Sequence, residues 1–530
     1  MTTNNGGTKS EMVATAAAVV AAVFMIKSFW FSSKEKKFTH GPKQMPLLGN
    51  FNLLPDLSKG ETFDDVLLKV SKEYGRVFLM NYPLVLGKML VVADPELAKK
   101  IFVTKNCDKS KLYKDLFPIL GKGSIVTLEG GKEWSNLRKT FNPGFTPAFL
   151  KDMVTTMVEK LDRFLGCIEA NVQQNKVTTM LEVSQMYTSD VILAVAYGEH
   201  WDSIEPHPAR VYEDEAVHLF ALMIQNPLRN LFDFYSKYKL RCAGKRVDQE
   251  MRSILERRLA DMSKNKEETN ICSLAIKSLQ KEDGSLSEED KLSIISNLKT
   301  FYFAGHDTTA TTVSFVWKSP LIGWSVFSFP HFLLGFSITL VRFEKISWAI
   351  WLLSQNNEIL SKVRAELKEK DIWSDLSKAP PTYDDLQKCE YLEAVIKETL
   401  RLYSPATGLT RSSSGFTETY NGCSLEGPMF DVNVHLMHHH PDNWKEPETF
   451  RPERFLDGSE ENINAKFFPF SRGPRDCIGK HFAILEAKLA IAALVVRYDL
   501  ECADVTDRIK YAVTNIPLKG CPVRLRPRAK

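Results

Sequence analysis

The sequence predicts a mainly α-helical domain with a small β portion, preceded by one membrane-spanning helix. Three observations carry this expectation. Apolar residues recur at helical spacing over most of the chain, strand signals are few and short, and residues 12–33 are almost continuously apolar.

The N-terminal run, MVATAAAVVAAVFMIKSFWFSS, is interrupted only by Thr15, Lys27 and serines. Its length is close to the ~20 residues that cross a bilayer. Lys34, Lys36 and Lys37 follow at once, which places the rest of the chain on the cytosolic side. A cleaved signal peptide is the rival reading, but it wants a basic region first, and only Lys9 precedes the run, offset by Glu11. GPKQMPLLGN (41–50), with two prolines and two glycines, suits a stiff exit from the membrane.

Further on, Phe63, Val66, Leu67 and Val70 share one face of a helix that ends at Gly75. Residues 75–94, GRVFLMNYPLVLGKMLVVAD, read as a hairpin. The polar stretches 265–270 and 281–290 flank a short apolar segment and read as an exposed helix-to-helix connection. Ser285 with Glu288 three residues later is a capping-box signature. It predicts a helix starting there, with Leu292, Ile295, Leu298 and Tyr302 on its apolar stripe. FAILEAKLAIAALVV (482–496) is apolar nearly all round, hence a buried helix.

A net charge of +4 with both signs well mixed gives nucleic acid nothing to bind. Nine cysteines without a C-x-x-C pair argue against a disulfide framework or a zinc ribbon, and for a reducing compartment. His438, His439 and His440 precede Pro441, which predicts a loop or turn and not a metal site.

Cys477 stands between a basic Gly-Pro loop and the buried helix. A helix beginning near Gly479 presents its positive end to a thiolate. Gly473 and Gly479 allow tight turns and close approach of a flat ligand, and Arg475 can pair with an anion. One soft ligand, one arginine and an apolar wall suit a haem held through cysteine. The alternative for a lone cysteine is a buried structural thiol.

Phe470, Gly473, Arg475, Cys477 and Gly479 fill the pattern F-x-x-G-x-R-x-C-x-G, which resembles the haem-binding signature of the cytochrome P450 family. The resemblance implies the fold of that family, haem b as cofactor and Cys477 as axial ligand of its iron, with Phe470, Arg475 and Gly479 around it. Residues 1–40 would be anchor and hinge, and 41–530 the haem-binding domain.

Four further stretches agree in order. In AGHDTT (304–309), Asp307 and Thr308 match the family's acid–alcohol pair, which hands protons to bound dioxygen. A helical threonine can instead simply bond back to its i−4 carbonyl, here Ala304. Competition for that hydroxyl would open a notch, which Gly305 favours. In ETLR (398–401), Glu398 and Arg401 lie on one helix face, either as a surface pair or, by resemblance, buried and joined by Arg454 of PERF. In WSNLR (134–138), Trp134 and Arg138 resemble propionate contacts, against a core Trp beside a solvated Arg. Arg411, on a strand after the ETLR helix, matches a propionate-binding arginine.

The implied activity is insertion of one atom of dioxygen into a lipophilic substrate of the fatty acid, steroid or isoprenoid class. No G-x-G-x-x-G follows a strand, so electrons come from outside. The resemblance implies an NADPH-dependent flavoprotein reductase, with cytochrome b5 as a second donor, at the endoplasmic reticulum membrane. Arg138, Lys139 and Lys480 are the candidate docking cations. The alternatives are a haem-thiolate isomerase or dehydratase that needs no reductase, and a haem-binding non-enzyme inactivated by an insertion. That insertion is residues 318–347: joining Trp317 to Trp348 restores one long helix, which Pro320 and Pro330 otherwise break. A retained intron or faulty gene model is the expected origin.

Overall fold

The computed structural model describes residues 37–53, 61–83, 86–200, 208, 211–212, 215–216, 219, 233–264, 269–308, 345–373, 379–506, 509–511 and 515–528. The expected anchor (12–33) and most of the interrupting segment lie outside these residues. Among the described residues, no helix is long and apolar enough to cross a membrane.

Helix α1 (Phe63–Tyr74) forms as its pattern predicts, with Thr62 and Asp65 exchanging capping hydrogen bonds of 3.1 and 2.8 Å. Gly75 stops it at φ +78°. The hairpin follows as strands β1 (Val77–Tyr82) and β2 (Gly87–Val92), paired antiparallel. The stretch before α1 is docked and not free: Phe38 is buried, and the Leu79 N–H donates to the carbonyl of His40 at 2.8 Å.

Four helices then set the frame: α2 (Lys132–Phe141), α3 (Met180–Tyr197), α4 (Phe234–Ser263) and α5 (Ile271–Leu279). Helix α5 lies within the stretch expected to be an exposed connection, yet Ile271, Cys272, Ala275 and Ile276 are buried in the main core. Helix α6 (Glu288–Tyr302) starts two residues later than the sequence suggested. Ser287, not Ser285, caps it by accepting the Asp290 N–H at 3.1 Å, while Ser285 bonds Asp283. Leu292, at the edge of the expected stripe, is exposed, whereas Ile295, Leu298 and Tyr302 are buried.

Helix α7 (Lys345–Gln355) resumes after the undescribed segment, so Lys345, Ile346 and Ser347 are already helical. Trp348 of α7 is fully buried and stacks on Tyr403 at 3.9 Å. Helix α8 (Glu390–Leu402) leads to strand β3 (Gly408–Arg411) and then to strand β4 (Met429–Asn433). The sheet order is β1-β2-β4-β3, with only β2 and β4 parallel. Helix α9 (Val434–His439) contains His438 and His439, where a loop was expected. Pro441 instead follows its C-cap, His440.

Helix α10 (Lys480–Arg497) is buried on almost every side, from Leu485 to Val495, and packs into the main core with α3 and α7. Strand β5 (Tyr498–Cys502) pairs antiparallel with β6 (Pro522–Pro527), which on its other side pairs with Thr178–Thr179 to complete a three-stranded sheet. The architecture is mainly helical with small sheets, as predicted.

Candidate haem-binding site

The loop before α10 is closed by its own backbone. The Cys477 N–H donates to the carbonyl of Phe470 at 2.9 Å, and the Asp476 N–H to that of Gly473 at 3.1 Å. Gly473 has φ +79°, and a β-carbon there would sit 2.3 Å from the Phe102 carbonyl oxygen. Gly479 has no such need: it is the N-cap of α10 at φ −89°, and an added β-carbon would meet only Phe145 at 3.7 Å. Cys477 is exposed and Phe470 half-buried.

Four cations gather beside this loop. Arg475 is buried, and its side chain lies over the Trp134 ring, 4.7 Å from the centroid. Its Nη2 donates to the Leu128 carbonyl, while Nε and Nη1 are buried without an acceptor. Burial, and then Arg411, push its guanidinium down to about 10. Arg411 is buried at the end of β3 and donates to the Thr410 carbonyl at 2.9 Å. Arg138 donates from Nη1 to the main-chain oxygen of Asp476 at 2.8 Å and pairs with its carboxylate at 3.1 Å.

The fourth cation, Lys109, was not foreseen from the sequence. An antiparallel bridge sets it beside Arg411. Burial, followed by Arg411, Arg475 and Arg138, holds its amine well below the ordinary lysine value. Only the tertiary bridge brings it there, so no local motif could have revealed it.

Trp134 reaches this cluster through its ring face, because its indole N–H donates to the Ile125 carbonyl at 3.1 Å. Of the expected docking cations, Arg138 and Lys480 both pair with Asp476, Lys480 at 3.0 Å, whereas Lys139 is exposed.

Below the loop, Glu398 and Arg401 are fully buried and joined by two hydrogen bonds of 2.8 Å. Arg454, on the Pro452–Phe455 turn, donates to Glu398 at 2.9 Å. The surface alternative for ETLR is thus excluded. The network continues into residues the sequence did not flag: Glu460 accepts from Arg454 at 2.6 Å and from Lys466 at 2.8 Å. The Trp444 ring faces Arg401, Arg454 and Lys466 at 4.6–5.9 Å.

After α6 the backbone becomes a π-helix over Phe303–Thr308, the stretch expected to open. Gly305 is approached so closely that a β-carbon would lie 2.8 Å from Ile192 of α3. The side chains of Asp307 and Thr308 fall outside what the structure describes.

These residues fit haem b on one direct observation. Buried guanidinium donors without acceptors need anions, and a ligand with two carboxylates supplies them next to an accessible cysteine. The profile described as Cytochrome P450 matches residues 39–317 and 345–519, leaving 318–344 unmatched. Cytochrome P450 3A29 of Sus scrofa is 26% identical over 510 residues, covering 92% of this chain and 90% of that protein. Cytochrome P450 3A11 of Mus musculus is 26% identical over 529 residues, covering 94% and 92%. Cytochrome P450 3A31 of Mesocricetus auratus is 27% identical over 500 residues, covering 92% and 88%. The chain belongs to the cytochrome P450 family, the haem-thiolate monooxygenases, and its cofactor is haem b.

Proposed function

We propose that this protein inserts one oxygen atom into a lipophilic substrate, with Cys477 as the residue that would hold the haem iron and electrons from an NADPH-dependent flavoprotein reductase. The observation that carries this reading is the convergence of Arg475, Arg411, Arg138 and Lys109 on the loop of Cys477.

Bound haem b supplies the activation of dioxygen, one atom entering the substrate and the other leaving as water. The chain's residues hold and serve it. Arg475 and Arg411 offer charge to its carboxylates, with Trp134 as the floor under Arg475. Arg138 steadies the loop through Asp476. Phe470 closes the turn that presents Cys477, and the positive end of α10 beyond Gly479 favours a thiolate there. Asp307 and Thr308 carry protons inward, a role supported by the π-helix on which they stand. Glu398, Arg401 and Arg454 are structural.

The apolar N-terminal run favours attachment to the endoplasmic reticulum membrane and a substrate that partitions into lipid. Lys139 is the docking cation best placed to meet an acidic reductase surface, with cytochrome b5 as a second donor. The test is turnover of a panel of fatty acids, steroids and isoprenoids with reductase, NADPH and isotopically labelled dioxygen. Labelled product that needs both NADPH and reductase is expected. Turnover of a peroxide-bearing substrate alone would instead indicate an isomerase or dehydratase.

A further inference from the structure

His438 is fully buried, and its ring joins two pieces of backbone that regular structure leaves unpaired. The Phe468 N–H donates to Nε2 at 3.0 Å. A backbone amide can only donate, so Nε2 carries the lone pair and Nδ1 the proton. Nδ1 then donates to the carbonyl of Arg401 at 3.2 Å. That carbonyl lies in the last turn of α8, and the residue four positions on, Pro405, has no N–H to offer it. The linkage is reciprocal, because the Arg401 guanidinium donates to the His438 carbonyl at 2.9 Å.

The same ring stacks on Phe467 at 5.4 Å and meets Trp444 edge-on at 6.2 Å. Phe468 lies two residues before Phe470, whose carbonyl holds the Cys477 N–H. A continuous path therefore runs from Glu398 through Arg401, His438 and Phe468 to the cysteine loop. We propose that His438 is a positioning residue, coupling the buried Glu398–Arg401 network to the loop that carries Cys477. Burial, then the charge of Arg401, keeps the imidazole well below its ordinary value, which preserves the tautomer both bonds require.

The proposal rests on Cys477 as the iron ligand, and its test separates the two. Full-length wild type is compared with His438→Gln, which can still donate and accept, and His438→Phe, which keeps a ring but neither bond. In the apoprotein, exchange of the Phe468 amide is expected to quicken about tenfold or more in His438→Phe and to stay slow in His438→Gln. In the haem-loaded, reduced, carbon monoxide-treated protein, His438→Phe should move absorbance from about 450 to about 420 nm with the far-ultraviolet dichroism unchanged. His438→Gln should keep the wild-type band.

Wild-type exchange and spectrum in His438→Phe would overturn the proposal. So would a folded His438→Gln that loses both, since ring shape and not hydrogen bonding would then matter. Should His438→Phe fail to fold, His438→Gln decides by the same two readouts. A wild type lacking the 450-nm band would defeat the reading of Cys477, and the exchange measurement would still judge His438.

Discussion

Arg401 closes on Glu398 through two parallel 2.8 Å hydrogen bonds, and neither side chain has any exposure to solvent. Glu398 also takes the Arg454 guanidinium at 2.9 Å and the Arg451 amide at 3.0 Å. Replacing Glu398 by alanine leaves the Arg401 guanidinium without a carboxylate in the interior and removes one of the two that Arg454 holds, Glu460 remaining. The expected loss is about 3–5 kcal/mol in urea unfolding. Replacing Glu501, whose pair with Arg526 is exposed, should leave the midpoint unmoved.

Arg475 predicts opposite signs with and without cofactor. In the apoprotein its charge faces Arg411 and Lys109, and two of its donors have no acceptor. Arg475→Met should therefore raise the apoprotein's unfolding midpoint. It should also speed haem transfer to an acceptor globin by about tenfold or more, the worth of one charged hydrogen bond. Parallel shifts in both measurements would contradict the role given to this arginine.

Asp431, in the interior of the β1-β2-β4-β3 sheet, gives a pH dependence. Burial, with Asp64 adding to it, pushes its carboxyl up to about 7 from an ordinary 3.8. The folded state therefore keeps a proton that the unfolded state has lost between those pH values. Stability is full below this window and falls as pH rises through it. Asp431→Asn should flatten that slope and stabilise the protein at pH 8 by on the order of 2–4 kcal/mol. Denaturant midpoints measured across the window check it.

The family match stops at residue 317 and resumes at 345, and α7 begins at Lys345. We predict that the predominant mature chain lacks residues 318–344 and that Trp317 runs directly into α7. Peptide mass spectrometry of the purified protein, with sequencing of transcripts, decides it. Abundant peptides from within 318–344 would show a genuine insertion and favour a haem-binding protein with altered catalysis.

Much of this was legible in the sequence because it is local. The cysteine loop, α1, the hairpin and α10 are set by glycines, caps and apolar runs within a few turns of each residue. Misreadings arose where two local signals competed or distant chain intervened. Ser285 and Ser287 both offer a cap, and the pairing of Ser287 with Asp290 prevails. Helix α5 is short and bounded by polar residues, so its burial depends on partners that no window contains. Lys109, Glu460 and Lys466 join their clusters only through tertiary contacts, and Trp134 spends its N–H on a carbonyl nine residues away.

The most direct test of the central claim is the carbon monoxide difference spectrum of the reduced protein, wild type beside Cys477→Ser. Wild type should absorb at about 450 nm, and the variant should lose that band while its helical dichroism stays intact. An unaltered band in Cys477→Ser would mean that some other residue holds the iron.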